Sequence, residues 1–519
     1  MSPNPIRTLL IANRGEIAVR VMRTARAMGI RTVAVHSDPD ARALHVREAD
    51  VAVGLGGTTG AESYLRIDRI IAAAKAAGAD AIHPGYGFLS ENAQFAEACA
   101  EAGITFVGPS AEAILSMGDK ITAKRIMDEA GVPTVPGWTG GENASDAEIQ
   151  RAGDGVGYPL MVKAAAGGGG KGMRVVAESA DLITAVASAR REATAAFGDG
   201  RVFMERYIER SRHVEVQVFG DGRGGAIHLF ERECSIQRRH QKVVEEAPSP
   251  AVDAALRERM GAAAVAAATA INYGGAGTVE FMLSADGSFY FLEMNTRLQV
   301  EHPVTECITG LDLVRMQLEV AMGEGLSVAQ EDLAIHGHAV ECRIYAEDAS
   351  RDFMPSTGRM HVFDPPTSSG VRVDTGFTAG DDVTVHYDPM LAKLIVAAGD
   401  RAAAVAGMRA ALDEFAVLGL TTNIPFLGAL VDHPAFRAGD MHTGFLTEHR
   451  IDVGGADTAL ADVPGEVLAA AALCREGLIG GGAGGGIGGG ATGQTGAAGD
   501  AAGQPAASPW THGGQWRNA

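Results

Sequence analysis

The feature that most constrains this chain is a row of polar side chains in residues 292–302, which read Leu-Glu-Met-Asn-Thr-Arg-Leu-Gln-Val-Glu-His. The polar residues occupy every second position: Glu293, Asn295, Arg297, Gln299 and Glu301. Because a β-strand turns alternate side chains to opposite faces, the pattern predicts one strand with all five polar groups on a single face. Burying such a face is costly unless a ligand compensates its charges. The pattern therefore favours a face that meets metal and phosphate.

A hairpin partner for this segment is predicted immediately before it. Two strand-like runs flank the pair Asp286-Gly287, which is preferred in two-residue type I′ turns. That turn would place Glu280 directly opposite Glu293, where like charges are destabilising. A bridging cation removes the repulsion, and two carboxylates with phosphate oxygens suit Mg²⁺. The alternative is a solvated face that is simply acidic.

The composition excludes several classes of protein. The chain has 519 residues, 46% of them hydrophobic, which predicts a globular protein of several domains. A formal net charge of −20 argues against binding to nucleic acid or to an anionic membrane. Five scattered cysteines lack zinc-ligand or redox spacing, which indicates a reducing compartment. With no signal peptide and no apolar run of roughly 18 residues, the expected location is cytoplasmic.

The first part of the chain alternates between strand and helix patterns. An apolar run at 6–12 is followed by a helical pattern and by a second strand at 32–36. This βαβ unit is Rossmann-like, although Gly15 is the only one of the three glycines of a dinucleotide site. The loop 83–92, His-Pro-Gly-Tyr-Gly-Phe-Leu-Ser-Glu-Asn, follows a strand, where open α/β sheets bind ligands. An ordered turn with an exposed tyrosine is the alternative.

A glycine-rich segment lies between two predicted strands. Lys163 ends the first strand, and residues 167–173 read Gly-Gly-Gly-Gly-Lys-Gly-Met. Backbone N–H groups of such a loop can approach phosphates and the lysines add positive charge, so the pattern favours a lid over a nucleotide. It is not a Walker motif, because no Gly-Lys-Ser/Thr leads into a helix. A merely flexible loop is the alternative.

Positive charge is concentrated in residues 231–242. Arg238, Arg239, His240 and Lys242 lie close together in a chain that is acidic overall. A run of charges usually marks a solvated face, but this local excess of cations indicates a site for anions.

The pattern changes towards the C-terminus. Between 337 and about 448, mixed strands accompany one long helix, and Arg343 is central in a strand pattern. The following Gly/Ala-rich stretch cannot offset the entropy cost of ordering and predicts a disordered linker. Trp510 and Trp516 after that linker indicate the start of a further domain.

Together these segments resemble the ATP-grasp biotin carboxylases. The segments that carry the resemblance are Lys163 with 167–173, Glu280 with 293–297, 299–302, 11–18, 83–92 and 237–242. Within that family, three further segments are similar to the α-subunits of acyl-CoA carboxylases, nearest to the methylcrotonyl-CoA type. These segments are 343–348, 386–390 and 442–446.

The resemblance implies an α/β and α+β multidomain protein. The expected parts are a Rossmann-like N-terminal domain at 1–117, an ATP-grasp domain at 118–330 with its glycine-rich lid at about 135–206, a mixed C-terminal domain at 331–450 and a disordered Gly-rich tail at 451–519. The tail resembles the start of the middle domain of longer α-subunits, so the chain is expected to be a truncated or split α-subunit.

The resemblance also implies the reaction, the ATP- and bicarbonate-dependent carboxylation of biotin. ATP and bicarbonate give carboxyphosphate and ADP, and the CO₂ from carboxyphosphate is transferred to the ureido nitrogen of biotin. The implied cofactors are ATP, Mg²⁺ or Mn²⁺, and biotin as a substrate carried elsewhere, since the chain has no Ala-Met-Lys-Met sequence. The implied partners are a biotin carboxyl carrier and a carboxyltransferase β-subunit, and a homo-oligomer is expected.

Roles of individual residues follow from the same resemblance. The implied nucleotide site consists of Lys120, Lys163, Gly168, Gly169, Gly170, Met173, Glu205, Ile208, His213, Gln237 and His240. The implied metal ligands are Glu280, Glu293 and Asn295. The implied bicarbonate site is formed by Lys242, Arg297, Gln299 and Val300. Glu301 is the implied general base, Arg343 is expected to stabilise charge on the biotin ureido oxygen, and Tyr86 is expected near biotin.

Two other hypotheses stay open. A different ATP-grasp carboxylating ligase would share the metal face but would have no use for 237–242 or Arg343. A catalytically silent scaffold would retain the fold, although the intact charged residues argue against it. Bicarbonate-dependent ATP hydrolysis that is stimulated by free biotin separates these hypotheses.

Overall fold

The computed structural model describes residues 4–140, 144–165, 173–239 and 241–452. Of the predicted site, Gly168, Gly169, Gly170 and His240 lie outside the described residues, as does the predicted tail beyond 452. Within the described ranges, no helix is long and apolar enough to cross a membrane.

The N-terminal part forms a parallel sheet flanked by helices, which confirms the Rossmann-like prediction. Its elements are β1 (Thr8–Ile11), α1 (Gly15–Ala27), β2 (Arg31–His36), α2 (Leu44–Glu48), β3 (Val51–Gly54), α3 (Ile67–Ala77), β4 (Ala81–His83), α4 (Ala93–Glu101), β5 (Thr105–Phe106) and α5 (Ala111–Gly118). The strand order is β3-β2-β1-β4-β5. Every residue of β1 is buried, as its apolar run predicts for a strand covered on both faces. Since β1 and β4 are parallel neighbours, Asn13 and the loop 83–92 leave the same edge of the sheet.

A second, antiparallel sheet follows. The elements of this part are α6 (Lys120–Glu129), β6 (Gly137–Trp138), α7 (Asp146–Val156), β7 (Leu160–Ala164), β8 (Arg174–Val176), α8 (Leu182–Phe197) and β9 (Val202–Arg206). The strand order β6-β9-β7-β8 makes β7 and β9 neighbours, which brings Lys163 and Glu205 close together.

The rest of the described chain is built on one eight-stranded sheet. Its first elements are β10 (Arg212–Asp221), β11 (Ala226–Arg238), β12 (Gln241–Ala247), α9 (Ala254–Ala270), β13 (Gly274–Leu283), β14 (Phe289–Asn295), α10 (His302–Thr309) and α11 (Leu313–Ala321). The later elements are β15 (His338–Tyr345), β16 (Glu347–Asp348), β17 (Met354–Pro355), β18 (Gly358–Arg359), β19 (Val362–Asp364), β20 (Val371–Thr375), β21 (Asp382–Val383), β22 (Met390–Ala398), α12 (Arg401–Glu414), β23 (Ala416–Leu418), α13 (Ile424–Asp432), α14 (Pro434–Arg437) and α15 (Phe445–Glu448). The sheet order β14-β13-β10-β11-β12-β15-β22-β20 joins strands from before and after residue 330.

The hairpin of β13 and β14 differs from its prediction in two places, and the second difference restores the register that the first one shifts. The Ser284 N–H donates to the Ser288 carbonyl at 2.8 Å, so the turn has three residues and the predicted two-residue turn is wrong. Gly287 takes the left-handed conformation that this longer turn needs, with φ of 78°. A bulge at Leu292 then shifts the register by one residue, and Glu280 lies opposite Glu293 as predicted.

The strand predicted through residue 301 is wrong beyond Asn295. β14 is an edge strand, and the Thr296 N–H donates to the Glu91 carboxylate at 3.0 Å instead of continuing the sheet. Residues 296–300 are irregular, and Glu301 caps α10, which has a proline in its first turn. The alternation of residues thus reflects a strand end followed by a turn.

The contact of Gly376 with the start of α1 generates a prediction about stability. A Cβ atom on Gly376 would lie 2.5 Å from the Gly15 Cα and 2.6 Å from the Glu16 nitrogen. We expect Gly376→Ala to lower the free energy of unfolding by about 1–3 kcal/mol, because backbones in contact must separate. Urea unfolding measures this change. Gly155→Ala in α7, where nothing lies within 4 Å, is the control, and equal losses in both variants would contradict the prediction.

Candidate active site

A cavity of about 1360 Å³ is lined by residues of the four-stranded and eight-stranded sheets and by loops and the start of α1 in the N-terminal part. Most of the predicted site residues lie in its walls: Tyr86, Lys120, Lys163, Met173, Glu205, Ile208, His213, Gln237, Lys242, Glu280, Glu293, Asn295, Arg297, Gln299, Val300 and Arg343. Glu301 is fully buried behind this wall, where its carboxylate is bonded by Lys242 and Arg343. Residues that are distant in the sequence therefore converge on one site.

Lys242 is the hub of the site. From β12 its ammonium group donates to Glu215, to Glu280 Oε1 at 2.9 Å and to Glu301 Oε1 at 2.6 Å. Burial would lower the pKa of Lys242, but the three carboxylates hold that pKa well above its usual value. One ammonium group thus bridges three buried carboxylates that come from three different segments.

Arg343 holds the other side of Glu301. Its guanidinium donates to Glu301 Oε2 at 2.9 Å and, through Nε, to Glu245 Oε1 at 2.6 Å. Burial would raise the pKa of Glu301, but Lys242, Arg343 and Arg232 together hold it well below the usual value. Glu301 is therefore an ionised carboxylate enclosed by cations.

Glu280 and Glu293 form an asymmetric pair of opposed carboxylates. Glu280 accepts a hydrogen bond from Asn295 Nδ2 at 2.8 Å and lies 2.9 Å from His213 Nε2. Burial would raise the pKa of Glu280, but Lys242 and His213 lower it, whereas burial and the charge of Glu280 raise the pKa of Glu293. The repulsion that raises this pKa is what a divalent cation would relieve, and the oxygen donors suit Mg²⁺. The residues present therefore fit a metal site.

Arg297 links Asn295, one of the candidate metal ligands, to Glu91 of the N-terminal part. Its guanidinium donates to Glu91 Oε2 at 2.9 Å, to Gln299 Oε1 at 3.1 Å and to Asn295 Oδ1 at 3.1 Å. Gln299 in turn donates to Glu280 Oε1 at 3.3 Å. The side chains of the irregular segment thus face the same site although they no longer belong to a strand.

Two lysines meet on one carboxylate at another part of the cavity. Lys163 Nζ donates to Glu205 Oε2 at 2.6 Å, and Lys124 Nζ donates to Glu205 Oε1 at 2.8 Å. Burial would raise the pKa of Glu205, but the two ammonium groups lower it. His213 lies 2.7 Å from the Gln237 side-chain amide, so that pair is also preorganised.

Tyr86 is tied to the irregular segment through buried charges. Its hydroxyl donates to Glu16 Oε1, and Glu16 Oε2 lies 3.3 Å from the fully buried Lys393. Lys393 also donates to the Val300 carbonyl at 2.9 Å. Burial raises the pKa of Glu16 to about 7, although Lys393 opposes the shift. The positions of Tyr86 and Val300 are therefore linked.

The anion site predicted from the run of cations is only partly formed by the described residues. Gln237 pairs with Lys242 across β11 and β12, so Arg238 points to the other face, where it donates to Glu347 at 2.6 Å. Arg239 donates to Asp352 at 2.5 Å. Arg238 is thus separated from Lys242, whereas Arg239 lines the same cavity as Lys242.

Sequence reasoning missed several residues of the site. Glu215 and Gln217 follow the predicted His213 at alternate positions of β10. This alternation was a usable signal, since Arg232 donates to Glu215 at 2.6 Å and to Gln217 at 2.8 Å. Lys124 carried no signal of this kind. The other members that were missed are Glu16, Glu91, Glu245 and Lys393.

Comparisons with known proteins agree with this geometry. The chain matches three family models: "Biotin carboxylase, N-terminal domain" over residues 5–114, "Carbamoyl-phosphate synthase L chain, ATP binding domain" over 119–329 and "Biotin carboxylase C-terminal domain" over 341–448.

Two curated relatives show how far the similarity extends. The chain is 53% identical to the biotin carboxylase of Nostoc sp. over 440 residues, which cover 85% of this chain and 98% of the relative. It is 54% identical to the mitochondrial methylcrotonoyl-CoA carboxylase subunit alpha of Dictyostelium discoideum over 459 residues, which cover 88% of this chain and 66% of the relative. The chain therefore spans less than two thirds of the methylcrotonoyl-CoA carboxylase relatives that it matches, down to 61% for the one from Glycine max.

A solved structure extends the likeness to three dimensions. The biotin carboxylase domain of Hydrogenobacter thermophilus 2-oxoglutarate carboxylase, crystallised with MgADP, ADP and bicarbonate, has a TM-score of 0.83 and 45% sequence identity. The match covers 87% of this chain and 99% of that one.

Next to the site, Glu341 is a buried carboxyl group that lacks hydrogen-bond partners among the described residues. It lies on β15 opposite Glu245 of β12, it is fully buried, and neither of its oxygens has a partner. Burial, only partly offset by Lys393 and reinforced by Glu245, raises the pKa of Glu341 well above its usual value.

Glu341→Gln is expected to stabilise the protein increasingly as the pH rises. The folded state keeps its proton on Glu341 at a pH where the unfolded chain, with a pKa of about 4.3, has lost it, so wild-type stability falls with rising pH across this interval. Glutamine removes this loss, which amounts to at most about 1.4 kcal/mol per pH unit. Urea unfolding at pH 5 and pH 7.5 measures the difference. The exposed Glu97→Gln is the control, and a Glu341→Gln variant with no gain at pH 7.5 would contradict the prediction.

Proposed function

Because this chain belongs to the biotin carboxylase family, we propose that it carboxylates biotin with ATP and bicarbonate. The observation that carries the proposal is the arrangement around Lys242, which joins the candidate metal pair to the enclosed Glu301 and Arg343. A reaction that combines phosphoryl transfer with activation of a small anion needs those groups side by side.

The nucleotide is proposed to lie along the wall that contains Lys120, Lys163, Met173 and Glu205. Ile208, His213 and Gln237 line the same cavity. The Hydrogenobacter protein was crystallised with MgADP, and the positive charges of the two lysines here suit a triphosphate. Gly168, Gly169, Gly170 and His240 complete the proposed site on the resemblance alone.

Glu280, Glu293 and Asn295 are the residues that would hold Mg²⁺ or Mn²⁺. A bound divalent cation would neutralise charge on the phosphate oxygens during phosphoryl transfer. The protein contributes the opposed carboxylates, the hydrogen bond from Asn295 to Glu280 and the ion pair of His213 with Glu280.

Bicarbonate is proposed to bind among Lys242, Arg297, Gln299 and Val300, with Glu301 as the general base. The low pKa of Glu301 makes it a weak base while Lys242 and Arg343 both bond it. An anion that attracts those two cations would raise the pKa of Glu301 and so strengthen the base when the substrate is present. Bicarbonate would then lose its proton and attack the γ-phosphate of ATP to give carboxyphosphate.

Biotin is proposed to bind near Tyr86 and Arg343. Carboxyphosphate would break down to CO₂ and phosphate, and the phosphate would take the proton of the ureido nitrogen as that nitrogen attacks the CO₂. The Arg343 guanidinium would stabilise the negative charge that develops on the ureido oxygen. The hydrogen bond from Arg343 to Glu301 couples the charges of the proposed biotin and bicarbonate sites.

The biological context is a proposal of the same kind. We infer that the reaction is the first half of an acyl-CoA carboxylation, with a biotin carboxyl carrier and a carboxyltransferase as partners, because relatives include methylcrotonoyl-CoA and propionyl-CoA carboxylase subunits. The division at residues 117, 330 and 450, the homo-oligomer and the cytoplasmic location remain predictions. The Dictyostelium relative is named as mitochondrial.

The decisive assay is ATP hydrolysis that requires bicarbonate and is stimulated by free biotin. The proposal predicts both properties together with the formation of carboxybiotin. Bicarbonate-dependent hydrolysis without stimulation by biotin would favour another ATP-grasp ligase, and absence of nucleotide binding would favour a silent scaffold.

Glu301→Gln is expected to reduce biotin carboxylation by at least about 10²-fold, because the amide cannot accept the proton. Binding of a non-hydrolysable ATP analogue should stay within about threefold of the wild type, since Glu301 is not part of the wall proposed to bind the nucleotide. Glu112→Gln, at an exposed position on α5, is the matched control. Turnover at the wild-type rate in Glu301→Gln would falsify the assignment of the base.

Glu280→Gln is expected to act through the metal. Loss of one carboxylate should raise the Mg²⁺ concentration needed for half-maximal activity by about tenfold or more. A titration of activity against Mg²⁺ at saturating ATP measures this shift. An unchanged Mg²⁺ requirement would remove Glu280 from the proposed ligand set.

A further inference from the structure

Glu205 is an unusual acceptor because each of its two carboxylate oxygens is taken by a different lysine. Lys163 occupies Oε2 and Lys124 occupies Oε1. Glu205 is nearly buried, with 6% of its surface exposed, so it needs a counter-charge. One ammonium group is sufficient for that purpose, and the second is in excess.

The two lysines differ in how they are anchored. Lys124 also donates to the Val135 carbonyl, and it is 9% exposed. The chain beyond Val135 packs closely on β9, since a Cβ atom on Gly137 would lie 2.3 Å from the Met204 carbonyl oxygen. Lys163 is the last lysine before the glycine segment and lies 6.0 Å from the ring centre of Phe203. Lys124 is thus fixed by one backbone carbonyl, that of Val135, in addition to the Glu205 carboxylate.

We propose that Lys124 is a positioning residue that holds Glu205 in place when Lys163 leaves it for the nucleotide phosphates. This inference rests on the proposed binding of ATP in the cavity. Without Lys124, the transfer of Lys163 would leave a nearly buried carboxylate unpaired, and that cost would oppose nucleotide binding. With Lys124 present, Glu205 keeps one partner throughout and stays in the wall of the nucleotide site.

The first test compares nucleotide affinity in Lys124→Met and Arg125→Met. Both variants remove one positive charge from α6, but Arg125 is exposed and pairs with Glu129 on the surface. Lys124→Met is expected to weaken binding of a non-hydrolysable ATP analogue by about tenfold or more, and to raise KM for ATP with little change in KM for bicarbonate or biotin. Arg125→Met should match the wild type. Equal affinity in Lys124→Met and the wild type overturns the inference.

A double-mutant cycle with Glu205→Gln separates positioning from a general loss of structure. The neutral amide that Glu205→Gln introduces needs no counter-charge, so adding Lys124→Met in that background should change nucleotide affinity by less than about twofold. If Lys124→Met lowers nucleotide affinity as much in the Glu205→Gln variant as in the wild type, Lys124 does not act through Glu205 and the inference is overturned. Lys124→Arg, which keeps the charge, should restore affinity to within about threefold, whereas failure to do so counts against a role based on charge.

Nucleotide binding by the wild type distinguishes failure of this inference from failure of the proposed function. If the wild-type protein binds no adenine nucleotide, the proposed function itself fails. If the wild type binds the analogue and hydrolyses ATP with bicarbonate while Lys124→Met behaves identically, the proposed function stands and the role of Lys124 fails.

Discussion

The charge of Lys242 is the interaction on which the rest of the site depends. Glu215, Glu280 and Glu301 come from β10, β13 and the cap of α10, and all three carboxylates contact this one ammonium group. Three ionised carboxylates would repel one another strongly at low dielectric without a central cation. Lys242 therefore allows the sheet to carry a dense set of acids on one face, and Arg343 and Arg232 supply the remaining charge from neighbouring strands.

The eight-stranded sheet positions these charged groups, and a loop of the N-terminal part orients the segment that follows β14. Glu91 bonds both the Thr296 amide and Arg297, so the loop 83–92 ends β14 and orients its continuation at the same time. The Lys393 ammonium group performs a similar task for Val300 and Glu16. The site is thus held by ion pairs that join a loop and α1 of the N-terminal part to the segment after β14 and to β22, and the pair at Lys393 is buried.

Much of this arrangement was predictable from the sequence because the polar residues of the site repeat with the period of a strand. The period placed Glu293 and Asn295 on one face of β14. The pairing of Glu280 with Glu293 was predicted from a two-residue turn, and it holds because the bulge at Leu292 offsets the longer turn. The end of β14 and the bulge at Leu292 were not predictable, since both depend on contacts with residues far away in the chain, such as Glu91. Lys124 was hidden for a related reason: a lysine on a helix looks like an ordinary surface residue until the strand it faces is known. Arg238 was wrongly grouped with the predicted anion site, because the alternation along β11 sends its side chain to the other face.

The eight-stranded sheet continues without interruption from the strands that carry the candidate metal ligands to the strand that carries Arg343. Backbone hydrogen bonds between β12 and β15 join the two strands that carry Lys242 and Arg343. The end of the site that would activate bicarbonate and the end that would receive CO₂ therefore lie on neighbouring strands. A short-lived intermediate would have to cross only the width of one strand pair.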